Sequence, residues 1–212
     1  MNSLKQALIQ LKADWKNSLF LGCTATLFVL AVRFTPYISA LLISFGLLFL
    51  QEVTNRYLTL KSWPRDLGFL KENTLSFVIC SLILLPTSTL LGSAIGVLES
   101  PQDFLHTIPM SWGLLILAVY FYLVLTHALR MTIEDGTALA KAVDIAALAS
   151  LKNFREYFII AFYMALAVLI SGILWGAGFI VTLPVIFFAA HYSFLATKER
   201  GLLQEKKTEP AS

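Results

Sequence analysis

Charge is what this chain has least of, and its absence is uneven. Between Tyr157 and Thr197 there is no Asp, Glu, Lys or Arg. Over the whole chain 14% of residues are charged and 58% are hydrophobic, whereas soluble domains run nearer a quarter charged and half apolar. The uncharged run, as helix at about 1.5 Å per residue, would reach roughly 60 Å, two bilayer crossings. That excludes a soluble catalytic domain as the main body of these 212 residues. Cysteine is scarce too. Cys23 and Cys80 both sit inside apolar stretches and read as small buried hydrophobes rather than a disulfide or a metal pair. The net charge of +3 comes from bases beside apolar spans, not from one basic patch, which argues against nucleic acid as a partner. No nucleophile elbow, phosphate-binding glycine loop or paired-cysteine motif is present, and His106, His127 and His191 show no metal spacing. No cofactor is expected. All thirteen carboxylates read as lying in loops, interfacial segments or span ends, whereas a proton-coupled carrier usually needs an ionisable group among its spans.

What is present are six apolar stretches, about 18–32, 37–50, 75–98, 112–129, 157–171 and 179–197. They predict an all-α, polytopic membrane bundle of about six transmembrane helices. The first two stretches reach spanning length with their uncharged flanks. Thr35-Pro36 and the glycines from Gly172 to Gly178 supply turns. Orientation follows from the bases. Fifteen of the sixteen Lys and Arg fall in the N-terminal segment, the second and fourth connections and the tail, leaving only Arg33 on the other side. Positive residues stay cytoplasmic, so both termini are expected there and the loop Glu99–Pro109 outside. Trp15, Trp63, Trp112 and Trp175 fall near the expected interfaces, where an amphipathic ring is favoured. The lysine-bearing start could be mistaken for a signal peptide, but no small-residue cleavage site follows at once. The reading is a single membrane domain over 1–203 and a polar, disordered cytoplasmic tail over 204–212.

The start of the chain has an echo. At a constant offset of 136, Lys5 meets Lys141, Lys16 meets Lys152 and Asn17 meets Asn153. Each segment precedes two spans and so keeps one orientation. This predicts a parallel internal repeat, 4–57 and 140–192, around a central hairpin at 72–130. Parallel copies differ from the inverted repeats of many carriers. In the first copy Leu4, Leu8, Leu11 and Trp15 share a helical face, with Lys5, Lys12 and Lys16 off it. Such a helix suits the cytoplasmic headgroup plane, so Lys5, Lys12, Trp15 and Lys16 are the candidate lipid surface.

The stretch Ala149-Ser150-Leu151-Lys152-Asn153, followed by an apolar hairpin with Gly176-Ala-Gly178, Pro184 and Tyr192, resembles the C-terminal half of the YciC-like inner-membrane proteins. These are similar to the membrane domain of some glycerophosphodiester phosphodiesterases. The resemblance implies a six-helix bacterial inner-membrane protein of unestablished biochemistry and carries over no catalytic residue. The chain departs from the usual pattern in having Ser193 and Phe194, rather than a charged residue, after Tyr192.

Two further constellations stand out. Pro86, Thr87, Ser88 and Thr89 are the most polar patch inside any expected span. They could line a small polar pathway, although hydroxyls that bond back to their own helix explain them more simply. Gly92 with Gly96, and Gly172 with Gly176, stand four apart and could form close-packed helix faces. The function expected is that of a non-enzymatic inner-membrane protein working through lipid, anionic headgroups included, or through other membrane proteins. The alternative is a small-solute carrier or channel using the 86–89 patch.

Overall fold

The computed structural model describes residues 2–33, 39–64, 66–85, 104–173 and 178–203. Among them are eight α-helices and no strand: α1 (Asn2–Ala13), α2 (Trp15–Arg33), α3 (Ser39–Leu60), α4 (Gly68–Ile83), α5 (Phe104–Asp135), α6 (Leu139–Lys152), α7 (Phe154–Ile173) and α8 (Phe179–Glu199). Three of these helices are long and apolar enough to cross a membrane, over Trp112–Asp135, Phe154–Ser171 and Phe179–Glu199. The protein is therefore all-α and of membrane character.

Two helices outrun their apolar stretches. α3 continues ten residues past Leu50, because Glu52 and Arg56 bond to each other within the helix (3.1 Å) instead of ending it. α5 begins at Phe104, inside the stretch expected to be a loop, and ends at Asp135. Its 32 residues reach roughly 48 Å, more than the ~30 Å hydrocarbon layer.

The helices pack as a closed ring, α2 against α3, then α4, α5, α7, α8 and back to α2. Within it α3, α5 and α8 also touch one another. They are the inner helices, and α2, α4 and α7 each lie in the groove between two of them. α1 and α6 join no hairpin. α1 lies along α8 and α6 along α5. Large apolar side chains stay exposed on the outer helices, among them Phe20 and Leu27 on α2, Leu75 and Leu82 on α4, and Phe158 and Ile170 on α7.

Backbone details explain the tightest joints. Pro184 has no N–H for the carbonyl of Ile180, four residues earlier. That freed oxygen occupies the space where a Cβ on Gly22 would stand, so α2 and α8 meet backbone to backbone. Ser18, Leu21 and Ala25 are buried along the same stretch of α2. α8 ends where Gly201 takes φ 69°. Its N–H bonds Lys198 O at 2.9 Å and Leu202 N–H bonds Thr197 O at 3.2 Å, the paired bonds of a glycine-terminated helix.

Candidate functional site

The inner helices carry polar residues where they meet. Gln51, Glu52 and Asn55 on α3, Tyr122, His127 and Arg130 on α5, and His191 on α8 are all buried, Glu52 to 3% and Arg130 to 4% exposure. On α3 the i, i+4 spacing puts Gln51 and Asn55 on one face. Tyr122 donates its hydroxyl hydrogen to Gln51 Oε1 at 3.1 Å. The Gln51 amide donates to Asn55 Oδ1 and to the carbonyl of Phe187 on α8, each at 3.0 Å. Asn55 Nδ2 donates to Glu52 Oε2 at 3.1 Å. One continuous chain of hydrogen bonds thus ties the three inner helices together.

Two ion pairs close the cluster. Glu52 takes Arg56 on its other oxygen at 3.1 Å. Arg130 Nε donates to Glu134 at 2.6 Å, and its guanidinium carbon lies 4.2 Å from the centre of the Phe194 ring. Lys198 adds a bond to Asp135 at 2.9 Å. With both histidines neutral, the charges of Glu52, Arg56, Arg130 and Glu134 cancel. Cancellation of this kind makes buried ions tolerable in an apolar surround. The expectation that carboxylates stay out of the interior is corrected here. Glu52 sits past the apolar run of α3, but the bundle continues around it and its partners satisfy it.

The two histidines differ. His127 Nε2 is 3.2 Å from the carbonyl of Ala190, which only accepts, so Nε2 carries the proton. Nδ1 then accepts from the Tyr157 hydroxyl at 2.6 Å, and the tautomer is fixed. His191 is frustrated. Its Nδ1 lies 3.0 Å from Arg130 Nη1, a pure donor, and 3.2 Å from Asn55 Oδ1, an acceptor. A bare Nδ1 satisfies Arg130 and a protonated one satisfies Asn55, but no single tautomer serves both. Both histidines lie in the interior of the bundle.

A second polar joint anchors α1 to the bundle. Asp14, at the break between α1 and α2, accepts from Asn17 at 2.9 Å and from the Tyr57 hydroxyl. Asn17 also donates to Tyr57 at 2.9 Å. Trp63 stacks on Tyr57 at 4.5 Å between ring centres. Ser3 on α1 donates to Glu156 of α7 at 3.4 Å.

The sequence-derived candidates fare unevenly. Lys5 and Lys12 on α1, and Trp15 and Lys16 at the start of α2, are all exposed. The apolar stripe expected behind them is split. Leu4 and Leu11 turn toward the core beside buried Ser3 and Ala7, while Leu8 and Trp15 remain exposed among the lysines. The reason is that α1 uses its small-residue side to lie against α8. Pro86, Thr87, Ser88, Thr89, Gly92, Gly96 and Gly176 lie outside the described residues, as do the side-chain surroundings of Gly172 in α7. The close approaches that are described fall at Gly22 and at Gly178, where a Cβ would stand 2.7 Å from Ser171 Cα. Among the described residues no group of His, Cys, Asp and Glu could hold a metal ion. The chain matches no protein-family model, no curated protein and no solved structure.

The buried cluster was missed by sequence reasoning, though a signal existed. Glu52–Arg56 and Arg130–Glu134 are acid–base pairs at i, i+4, and Gln51–Asn55 has the same spacing. Polar pairs of that kind at the end of an apolar run can carry a helix onward inside a bundle. The arrangement can fix the relative register of α3, α5 and α8. It contains titratable groups that a proton could visit, but no nucleophile set against a base and oxyanion donors.

Proposed function

We propose that this chain is a six-span protein of the bacterial inner membrane, both termini cytoplasmic, that works without enzymatic chemistry through lipids and other membrane proteins of the envelope. The observation that carries this is the outer face of α1 and the start of α2. On α1 it presents Lys5 and Lys12 with Leu8 and Ile9, and on the first turn of α2 Trp15 and Lys16, all exposed; both helices lie against α8. Bases among large apolar groups suit the headgroup layer of an anionic leaflet. The six-span count rests on three span-like helices and on the fifteen-to-one distribution of bases. The YciC-like resemblance points the same way.

A parallel repeat belongs to this reading. α1, α2, α3 and α6, α7, α8 share one order of elements. Gln51 bonds Phe187 and Asn55 faces His191, contacts at the repeat offset of 136, as expected where equivalent positions meet near a common axis.

Two measurements test the proposal. An alkaline phosphatase fusion after Asp103 should be active and one after Lys207 inactive; the reverse pattern overturns the topology. Full-length protein purified in mild detergent should retain phosphatidylglycerol, and Lys5→Gln, Lys12→Gln, Lys16→Gln together should lower that retention. Equal retention by the triple variant removes the lipid role of α1.

A second reading, movement of a small solute or proton, is favoured by the buried chain Glu52–Asn55–His191–Arg130, since ionisable groups among spans commonly mark pathways. In a Cys23→Ala, Cys80→Ala chain, Gln51→Cys or Asn55→Cys should resist a small water-soluble thiol reagent if the cluster only clamps helices. Rapid labelling would favour the pathway.

A further inference from the structure

We propose that the elbow between α6 and α7 is a docking site for an anionic phospholipid, with Lys152 and Arg155 at its headgroup and Phe154 and Phe158 along its acyl chain. This extends the membrane-surface reading of α1 to a second place, and rests on the proposed six-span placement of the bundle in a bilayer.

The elbow is built by Asn153. Its N–H closes α6 on Ala149 O at 3.0 Å, and its carbonyl accepts the first N–H groups of α7, from Glu156 at 3.0 Å and Tyr157 at 3.2 Å. The turn is therefore tight, and Lys152 and Arg155, both exposed, flank it closely in sequence. Acids that could neutralise these bases are engaged or apart. Glu156 accepts from Arg200 at 2.6 Å and from Asn153 at 3.1 Å. Asp144 is the acid on the exposed side of α6, two turns before Lys152. The elbow is thus left with an excess of positive charge.

The apolar part of the site runs down from it. Phe154 and Phe158 stand at i, i+4, one helix face, both exposed, their rings stacked at 5.6 Å. Leu151 above them is 64% exposed. Phe154 and Phe158 stand in the first turns of α7, whose Phe154–Ser171 stretch is a candidate span. The cover of that span is the bilayer, so the cover of the ridge at its end is the region where acyl chains meet headgroups. A pair of bases above an exposed aromatic ridge at that depth complements a phosphodiester headgroup with its tail below it. The same positions at the offset of 136 lie at the start of α2, Trp15 for Leu151 and Lys16 for Lys152, and both are exposed.

The test uses full-length protein in mild detergent, titrated with phosphatidylglycerol or phosphatidylcholine and read by native mass spectrometry. The parent chain should prefer phosphatidylglycerol. Lys152→Gln with Arg155→Gln should weaken the tightest phosphatidylglycerol adduct by about thirtyfold, as expected for two basic contacts at a headgroup. Lys152→Arg with Arg155→Lys, which keeps both charges, should bind as the parent does. Equal binding by the neutralised variant, or equal binding of the two lipids by the parent, overturns the proposal. The Lys5, Lys12, Lys16 triple variant separates the two surfaces. If it loses lipid while Lys152→Gln with Arg155→Gln does not, the α1 reading stands and the elbow site falls. If only the elbow variant loses lipid, the α1 surface falls and the elbow stands.

Discussion

The inner and outer helices of this bundle use opposite chemistry. α3, α5 and α8 turn amides, carboxylates, guanidinium groups and imidazoles toward one another. α2, α4 and α7 turn Leu, Val, Ile and Phe outward. A soluble bundle would do the reverse. In lipid the outer surface gains nothing by being polar, and association cannot draw on the hydrophobic effect, so hydrogen bonds and close packing take over inside. The comparison makes a definite claim: deleting an inner polar group costs more than trimming an outer apolar one.

The largest effect is expected at Arg130. Its guanidinium serves Glu134, His191 and the Phe194 ring together. Arg130→Ala leaves Glu134 without that partner and removes the donor to His191. Arg130 is buried, but Glu134 is one-third exposed and also lies 3.8 Å from Lys198. The cost is therefore mainly the loss of Arg130's own hydrogen bonds, about 1.5–3 kcal/mol for each bond to a charged group. Thermal unfolding in detergent should show a large drop in midpoint, or the variant should fail to accumulate. A midpoint equal to the parent's would mean that the inner cluster does not hold the helices together.

Gly22 sharpens the same contrast from an outer helix, at the place where it touches an inner one. Gly22→Ala puts a methyl group where the Ile180 carbonyl sits, and the neighbour is backbone, so α2 or α8 must move. Overpacking of a tight contact costs about 1–3 kcal/mol. The expected result is a clear loss of thermal stability with retained expression. Ala at the exposed Gly113, which has no neighbour within 4 Å of its Cβ position, is the control and should be tolerated.

Much of this architecture was legible in the sequence. Apolar runs and the distribution of Lys and Arg pointed to an all-α membrane bundle. The segments before Trp15 and before Asn153 stood out by their amphipathic or repeated residues. What stayed hidden depends on partners distant in the chain. Glu52 reads as the end of a span because hydropathy stops there, and its burial follows only once Asn55, Arg56 and the wall of α8 are in place. Leu4 and Leu11 read as lipid-facing with Leu8 and Trp15, because one helix wheel cannot say that α8 lies along one side of it. The close approach at Gly22 needs Pro184, 162 residues later, to free the carbonyl it meets. A search restricted to pairs of glycines passes over it, although Ser18, Gly22 and Thr26 carry the small-residue spacing.

The smallest effect is expected on the outer face, and α4 allows the comparison within one helix. Phe77 is fully buried, packed with Phe45 at 5.9 Å and Phe69 at 6.3 Å between ring centres. Leu82 on the same helix is half exposed. Phe77→Ala opens a cavity that its neighbours cannot close, at about 3–5 kcal/mol. Leu82→Ala removes a side chain whose outward part meets only the surrounding medium, and substitutions of that kind usually stay within about 0.5 kcal/mol. Thermal unfolding of the two variants, in detergent and again in lipid nanodiscs, should therefore separate them widely in both media. A Leu82→Ala loss approaching that of Phe77→Ala, and dependent on protein concentration, would show that α4 is covered by a second protein chain rather than by lipid. The inner and outer helices would then no longer divide by chemistry in the way proposed.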